Sequence, residues 1–116
     1  MQKHDDEAAL LHILDHAREA VAMITGKTRK SLESERMLEL ALIRLVEVIG
    51  EAAGRVSIHG QEQLPTIPWK EITGMRNRLI HGYDSVDLDV LWDTVEFDLP
   101  PLIDELNKAG IGIPGR

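Results

Sequence analysis

The sequence predicts an all-α fold, an up-and-down antiparallel bundle of four main helices with a kink in the last one. Apolar residues recur at the helical period in four segments, and no segment keeps the strict alternation of a strand. With 116 residues, the chain is long enough for one hydrophobic core and too short for two. We therefore expect a single helical domain over residues 1–116, with a mobile tail over residues 110–116.

The first predicted helix has one apolar face and ends near Gly26, a residue type that commonly stops helices. His12 and His16 lie on the opposite face, four residues apart, so both could reach one metal ion. No third ligand is identifiable, and we predict a solvent-facing pair and no metal site. The residues of the apolar face are Leu10, Ile13, Leu14, Ala17, Val21 and Ile24.

The second predicted helix starts at about Ser31, a suitable N-cap residue, and has a broad apolar arc of roughly 160°. An arc of that width indicates burial on two sides. This arc is one reason to expect a homodimer, and the half-buried position expected for Arg76 is the other. The arc contains Leu38, Leu42, Leu45, Ile49, Ala52 and Val56.

The second half of the chain is predicted as a loop followed by two helices. Residues 57–68 read as the loop, and Pro68 suits the first position of a short third helix that would end at Gly82. Asp87 can cap the fourth helix. Its apolar face continues across Pro100 and Pro101, but the prolines should kink or break the helix near Asp98.

Composition limits the chemistry. The chain has no Cys, so thiolate metal sites, iron–sulfur clusters and cysteine nucleophiles are excluded. The 13 basic and 20 acidic residues give a net charge of −7, which argues against a broad nucleic-acid surface but allows a local basic site. We predict a cytoplasmic protein without membrane association and without a cofactor, since no membrane-spanning run, signal sequence or phosphate-binding glycine loop is visible.

Chemically useful side chains gather within eight positions. They are Arg76, Asn77, Arg78, His81 and the only Tyr, Tyr83. Metal-independent cleavage of RNA needs a group with a pKa near neutrality to move protons and a fixed cation for the charge on phosphorus. His and Arg are residue types that fill these two roles.

A helix continued to Gly82 would place Asn77 and Arg78 beside His81, four and three residues away. The helix C-terminus would favour the imidazolium form of His81, as a general acid requires. Arg76 would lie towards the apolar side. There, half-buried, it would need a carboxylate or a partner subunit, and Glu47 or Glu51 could supply the carboxylate.

The same residues also have a plain structural interpretation. Arg76 and Arg78 would then be ordinary interface and surface charges, His81 a helix C-cap, and Tyr83 an aromatic residue projecting from a turn. Asp84, Asp87 and Asp89 lack the ligand spacing of a calcium loop and are better explained as acids at a helix start.

A wider comparison favours the functional interpretation. The pattern Arg76-Asn77-x-x-x-His81-x-Tyr83 resembles the Arg-x4-His-x-Tyr signature of the HepT-like branch of the HEPN superfamily, small all-α toxins usually encoded beside a minimal nucleotidyltransferase antitoxin. The resemblance extends over residues 10–106. Its other parts are residues 49–53 (Ile-Gly-Glu-Ala-Ala), 68–72 (Pro-Trp-Lys-Glu-Ile), 86–88 (Val-Asp-Leu) and 91–92 (Leu-Trp).

The resemblance implies a homodimer in which Arg76, Asn77 and His81 of both chains line a cleft and cleave RNA without metal. It also implies that the antitoxin attaches AMP to Tyr83 and so neutralises the toxin of a type VII-like toxin–antitoxin pair. Arg78 is an additional candidate for RNA binding. The alternative is a non-catalytic interaction protein that binds a nucleotidyltransferase and is modified by it.

Overall fold

A computed structural model of the chain describes residues 3–81 and 85–112, apart from the side chains of Lys3, His4 and His81. In this part of the chain the four predicted helical segments are present, divided into seven α-helices, an eighth lies in the predicted loop over residues 57–68, and the all-α class is confirmed. The first four helices are α1 (Lys3–Met23), α2 (Ser31–Ser34), α3 (Arg36–Gly54) and α4 (Ile58–Gln63).

The second half of the chain is more broken. A two-stranded hairpin follows α6, and a π-helical segment joins the last two helices. The elements are α5 (Trp69–Thr73), α6 (Met75–Leu79), β1 (Ile80–His81), β2 (Ser85–Val86), α7 (Leu88–Asp93), the π-helical segment (Thr94–Asp98) and α8 (Leu99–Lys108).

The core forms where α1 packs against α3 and α8. Ile13, Leu14 and Ala17 of α1 are fully buried, as their spacing predicts. The helix ends at Met23, and the chain turns at Gly26 with a φ of +76°, a left-handed conformation that glycine adopts without strain.

The broad apolar arc of α3 is buried on two sides, as predicted, because α3 packs against α1 on one side and against α5 and α6 on another. The predicted start was wrong. Ser31 opens the separate helix α2, and the extended conformation of Glu35 (φ −122°, ψ 88°) divides α2 from α3. Lys27 Nζ donates to the Glu35 carboxylate at 2.8 Å.

The predicted loop over residues 57–68 was also wrong, since it contains α4. Ser57 caps this helix by accepting a hydrogen bond from Gly60 N at 3.0 Å. Ser57 is itself fixed by Asp6 of α1, which accepts from Ser57 N at 2.9 Å and from Ser57 Oγ at 2.6 Å. This long-range support stabilises a helix too short to be stable alone.

The third predicted helix does not reach Gly82. It breaks at Gly74 into α5 and α6, Pro68 precedes its first helical residue, and α6 ends at Leu79. The backbone is extended at Ile80 (φ −95°, ψ 123°), so that Ile80 pairs with Val86 and His81 with Ser85 in an antiparallel ladder. β-branched residues favour this conformation.

The last segment agrees with the prediction. The Asp87 carboxylate accepts from Val90 N at 3.1 Å and caps α7. The helix changes to π-helical geometry up to Asp98, because Pro100 and Pro101 have no N–H to bond the carbonyls four residues earlier.

The chain after α8 turns back onto the helix. Gly110, with a φ of +80°, allows Ile111 N to donate to Leu106 O at 3.1 Å. Of the tail that we expected to be mobile, residues 110–112 form this turn and residues 113–116 lie outside the described residues. Within residues 3–81 and 85–112, no helix is both long and apolar enough to cross a membrane.

Candidate active site

Arg76 lies on α6 beside α3. Its Nε donates a hydrogen bond to Oε2 of Glu47 at 3.0 Å, so the predicted carboxylate partner is confirmed. The predicted burial was wrong, since 57% of the Arg76 side chain is exposed. Met75 and Leu79 are the residues of α6 that face the core, and Arg76 is rotated about 100° from Met75 around the helix.

Glu47 contacts a second arginine. Its Oε1 lies 4.0 Å from Nη1 of Arg44, one turn earlier on α3, and Nη1 of Arg44 is also 4.0 Å from Oε1 of Glu51. We call these three residues, together with Arg76, the Glu47 cluster. Only 22% of the Glu47 side chain is exposed, so its carboxylate is a better fixed anchor than a fully exposed one.

Arg78 points away from the Glu47 cluster. Its Nη1 donates to the backbone oxygen of Glu71 at 2.9 Å, and its side chain lines a cleft between α5–α6 and the start of α8. The structure therefore does not bring Arg76 and Arg78 together, although they are two residues apart on one helix.

His81 does not occupy the last turn of a helix, and the helical adjacency predicted for Asn77 and Arg78 with His81 was wrong. The chain has become extended by Ile80, and His81 is the second residue of β1. Asn77 is exposed on α6. The imidazole of His81 and all of Tyr83 lie outside the described residues, so their positions in the site stay predictions.

The cleft beside Arg78 has a volume of about 500 Å³ and was not predicted. We call it the Phe97 cleft. Phe97, the only Phe of the chain, lies at the edge of the cleft and is 62% exposed. The polar residues that line it include Thr66, Glu71, Arg78, Asp98 and Glu105.

The two carboxyl groups on the α8 side of the Phe97 cleft differ. Burial raises the pKa of Asp98, and the positive charge of Arg78 partly opposes that rise. Hydrogen bonds from Thr66 and Lys108 lower the pKa of Glu105. A ligand that donates hydrogen bonds would therefore stabilise the charged form of Asp98 more than that of Glu105.

His12 and His16 form a local contact on α1. Their rings stack with centroids 5.7 Å apart, and Nδ1 of His16 lies 2.7 Å from the carbonyl oxygen of His12. The residues that the structure describes include no group of three or more His, Cys, Asp or Glu side chains arranged to hold a metal ion.

Comparison with known proteins shows the family of the chain. The family model described as "Ribonuclease HepT-like" matches residues 13–109. A candidate RNase of Methanocaldococcus jannaschii is 35% identical over 106 residues, which cover 91% of this chain and 97% of that protein. A second candidate RNase of the same organism is 32% identical over 116 residues, covering 100% of this chain and 96% of the relative.

A protein of Thermococcus cleftensis named "Probable ribonuclease HepT" is 36% identical over 99 residues, covering 82% of this chain and 90% of that protein. No solved structure matches. The family match spans most of the chain, including α6 and the segment from Arg76 to Tyr83. The chain belongs to the HepT-like ribonuclease family.

Proposed function

We propose that the protein is the toxin of a toxin–antitoxin pair and acts as a metal-independent endoribonuclease through Arg76, Asn77 and His81. The observation that carries the proposal is the placement of Arg76. Its guanidinium is exposed to solvent yet held by Glu47, as a group that meets an anionic substrate must be. Family membership supports RNA as the substrate.

The proposed reaction is a transesterification at phosphorus within the RNA. The 2′-hydroxyl oxygen attacks phosphorus while the bond from phosphorus to the 5′ oxygen breaks. The products are a 2′,3′-cyclic phosphate and a 5′-hydroxyl. His81 moves the proton and Arg76 stabilises the added negative charge on phosphorus, while the amide of Asn77 orients the imidazole.

We propose a homodimer that places the catalytic residues of both chains along one cleft. Support comes from the outer face of α3, where Met37 is 85% and Leu40 48% exposed. These residues precede Arg44 and Glu47 at three- and four-residue spacing, so they share a side of the helix with the Glu47 cluster. A second chain covering them would bring its own cluster to the same region.

Neutralisation is proposed to occur at Tyr83. A minimal nucleotidyltransferase antitoxin would direct the tyrosine hydroxyl onto the α-phosphorus of ATP, forming Tyr-O-AMP and releasing pyrophosphate. The added phosphate would place negative charge two residues from His81, where it would compete with RNA. Mass spectrometry of the protein after incubation with such an enzyme and ATP tests this, and Tyr83→Phe must abolish the modification.

The catalytic proposal is tested by incubating the purified chain with RNA in excess EDTA. Wild-type protein should cleave, whereas Arg76→Ala and His81→Ala should reduce the rate by at least about a hundredfold. Arg18→Ala is the matched control, since it removes an exposed arginine of α1 and should leave the rate unchanged.

Intact RNA with the wild-type protein would contradict the catalytic role. If Tyr83 were nevertheless adenylylated, the result would favour the non-catalytic interaction protein, for which the net charge of −7 is the supporting observation. In either case we propose that residues 1–116 act as one cytoplasmic domain.

A further inference from the structure

The Phe97 cleft has no part in the proposed catalytic step, yet it has the properties of a binding site. Its volume of about 500 Å³ is within the range of small-molecule sites. Buried side chains of Ile72, Met75 and Leu102 form its apolar floor. Phe97 also lines the cleft, and 62% of this residue is exposed to solvent.

Three side chains of the cleft offer different interactions. Phe97 offers an aromatic face, Asp98 a carboxylate that can accept two parallel hydrogen bonds, and Arg78 a cation. Purine and pyrimidine bases are recognised in single-stranded RNA by this combination of stacking, polar contacts to a base edge and a cation for phosphate.

We propose that the Phe97 cleft is a nucleobase subsite that prefers guanine. The proposal rests on the proposed function, since it assigns to this cleft a nucleotide that flanks the cleaved bond. The base stacks on Phe97, the Asp98 carboxylate accepts from the base edge, and Arg78 contacts the adjoining phosphate.

The position of the cleft relative to Arg76 fits one RNA strand. Arg76 and Arg78 are two positions apart, about 3 Å along the axis of α6, but they face different sides of that helix. A strand that crosses α6 can therefore meet Arg76 with one phosphate and enter the Phe97 cleft with a neighbouring nucleotide.

The carboxylate explains the preference for guanine. The Watson–Crick edge of guanine has two adjacent donors, N1–H and N2–H, which match the two oxygens of Asp98. Adenine has one donor on this edge beside the lone pair of N1, which a carboxylate repels. Guanine would also donate hydrogen bonds to the Asp98 carboxylate, and the pKa of this group is raised by burial.

The charges of the lining residues predict that the base contributes more to nucleotide binding than the phosphate does. Glu71 and Glu105 line the cleft together with Asp98, against Arg78 as the cation among the lining residues. Lys108 Nζ lies 3.2 Å from the Glu105 carboxylate and reduces the excess of negative charge. Guanosine, which is uncharged, should therefore bind nearly as well as guanosine 5′-monophosphate.

The test is a titration of the 15N-labelled full chain with guanosine, adenosine, cytidine and guanosine 5′-monophosphate, followed by amide chemical shifts. Guanosine should shift residues of the Phe97 cleft at concentrations at least about tenfold lower than adenosine. Phe97→Leu, which keeps an apolar side chain without the ring, should weaken guanosine binding about tenfold. Asp98→Asn should remove the preference for guanosine over adenosine.

Two variants are matched controls on exposed surface outside the cleft. Asp104→Asn removes one negative charge from α8, and Leu11→Ala removes one exposed apolar side chain from α1. Both should bind guanosine as the wild type does. Arg78→Ala should weaken the binding of guanosine 5′-monophosphate more than that of guanosine.

Equal binding of guanosine and adenosine, shifts outside the cleft, or equal effects of Asp98→Asn and Asp104→Asn would overturn the proposal. It would also fail if Phe97→Leu changed only the sedimentation of the protein, since Phe97 would then belong to a contact between copies. Nucleosides have no bond to cleave, so their binding is measured independently of ribonuclease activity. An active ribonuclease whose cleft ignores guanosine would refute this inference alone.

Discussion

The Nε atom of Arg76 and the Oε2 atom of Glu47 are 3.0 Å apart, joining residues 29 positions apart in the sequence. This hydrogen bond fixes an exposed guanidinium of the short helix α6 to the long, well-packed helix α3. Glu47 is thereby a positioning residue in the proposed mechanism, because it acts on RNA only through Arg76.

Replacing Glu47 with Gln should lower kcat for RNA cleavage about tenfold while changing KM much less. A charge-assisted hydrogen bond contributes roughly 1.5–3 kcal/mol, and a tenfold change in rate corresponds to about 1.4 kcal/mol. Steady-state kinetics on a short single-stranded RNA measures both constants. Glu51→Gln is the control, since Glu51 contacts Arg44 and makes no hydrogen bond to Arg76 among the contacts described.

An equal loss of kcat in Glu47→Gln and Glu51→Gln would mean that the negative charge on α3 matters for cleavage, and not the orientation of Arg76. An unchanged kcat in Glu47→Gln would remove the positioning role altogether.

If the active site is shared between two chains, two inactive variants should complement each other. A heterodimer of Arg76→Ala and His81→Ala chains retains one intact Arg76 facing one intact His81 when these come from different protomers. Mixing and re-associating the two variants should then restore part of the wild-type rate, measured by RNA cleavage. No recovery, with heterodimers verified by native mass spectrometry, would place both residues of each site in one chain.

Two glycines should respond oppositely to alanine. A Cβ added at Gly60 would lie 2.5 Å from Oδ2 of Asp6 and 2.9 Å from Cγ1 of Val56, so Gly60→Ala should lower the free energy of unfolding by about 1–3 kcal/mol. At Gly54, the last residue of α3, a Cβ would have no heavy atom within 4 Å. Gly54→Ala should leave stability unchanged or raise it by up to about 1 kcal/mol.

Urea denaturation followed by circular dichroism measures both glycine variants. Equal destabilisation by the two substitutions would contradict the close approach between α4 and α1 at Gly60.

The contact between Asp6 and Ser57 should make stability depend on pH. Burial of the Asp6 carboxyl acts to raise its pKa, but the hydrogen bonds from Ser57, together with nearby positive charge, hold the pKa below the ordinary 3.8. The stabilisation is therefore complete above that ordinary value and is lost as pH falls through the lowered pKa of the folded protein. Ser57→Ala, which also removes the cap of α4, should cost about 1 kcal/mol at neutral pH.

The cost of Ser57→Ala, measured by urea denaturation, should shrink at pH values below that lowered pKa. A cost independent of pH would show that Asp6 draws no stabilisation from Ser57.

Much of the fold follows from local pattern. The buried faces of α1 and α3, the cap at Asp87 and the interruption of α-helical geometry up to Asp98 depend on helical periodicity, side-chain capping and proline chemistry, which the sequence displays directly. Helix α4 and the start of α3 were not predictable in this way. Ser57 depends on Asp6, 51 residues earlier, and the extended Glu35 is held by Lys27, and neither contact has a local signal.

The candidate site also combines features that the sequence predicts with features that it does not predict. The partnership of Arg76 with Glu47 was expected from a burial of Arg76 that the structure does not show, since 57% of its side chain is exposed. The end of α6 at Leu79 could not be expected, since the β-branched Ile80 competes with a helical pattern that continues to Gly82. The Phe97 cleft was missed because it forms between α5–α6 and α8, although the single Phe of the chain was a signal that could have drawn attention to it.

In the reaction proposed for this chain, the 2′-hydroxyl of RNA attacks phosphorus without a metal ion, and this reaction determines the chemical ends of the RNA fragments. Mass spectrometry of fragments formed in excess EDTA should find 2′,3′-cyclic phosphate and 5′-hydroxyl ends with the wild type and no fragments with His81→Ala. Fragments with 3′-hydroxyl and 5′-phosphate ends, or cleavage that requires an added divalent metal, would rule out the proposed reaction.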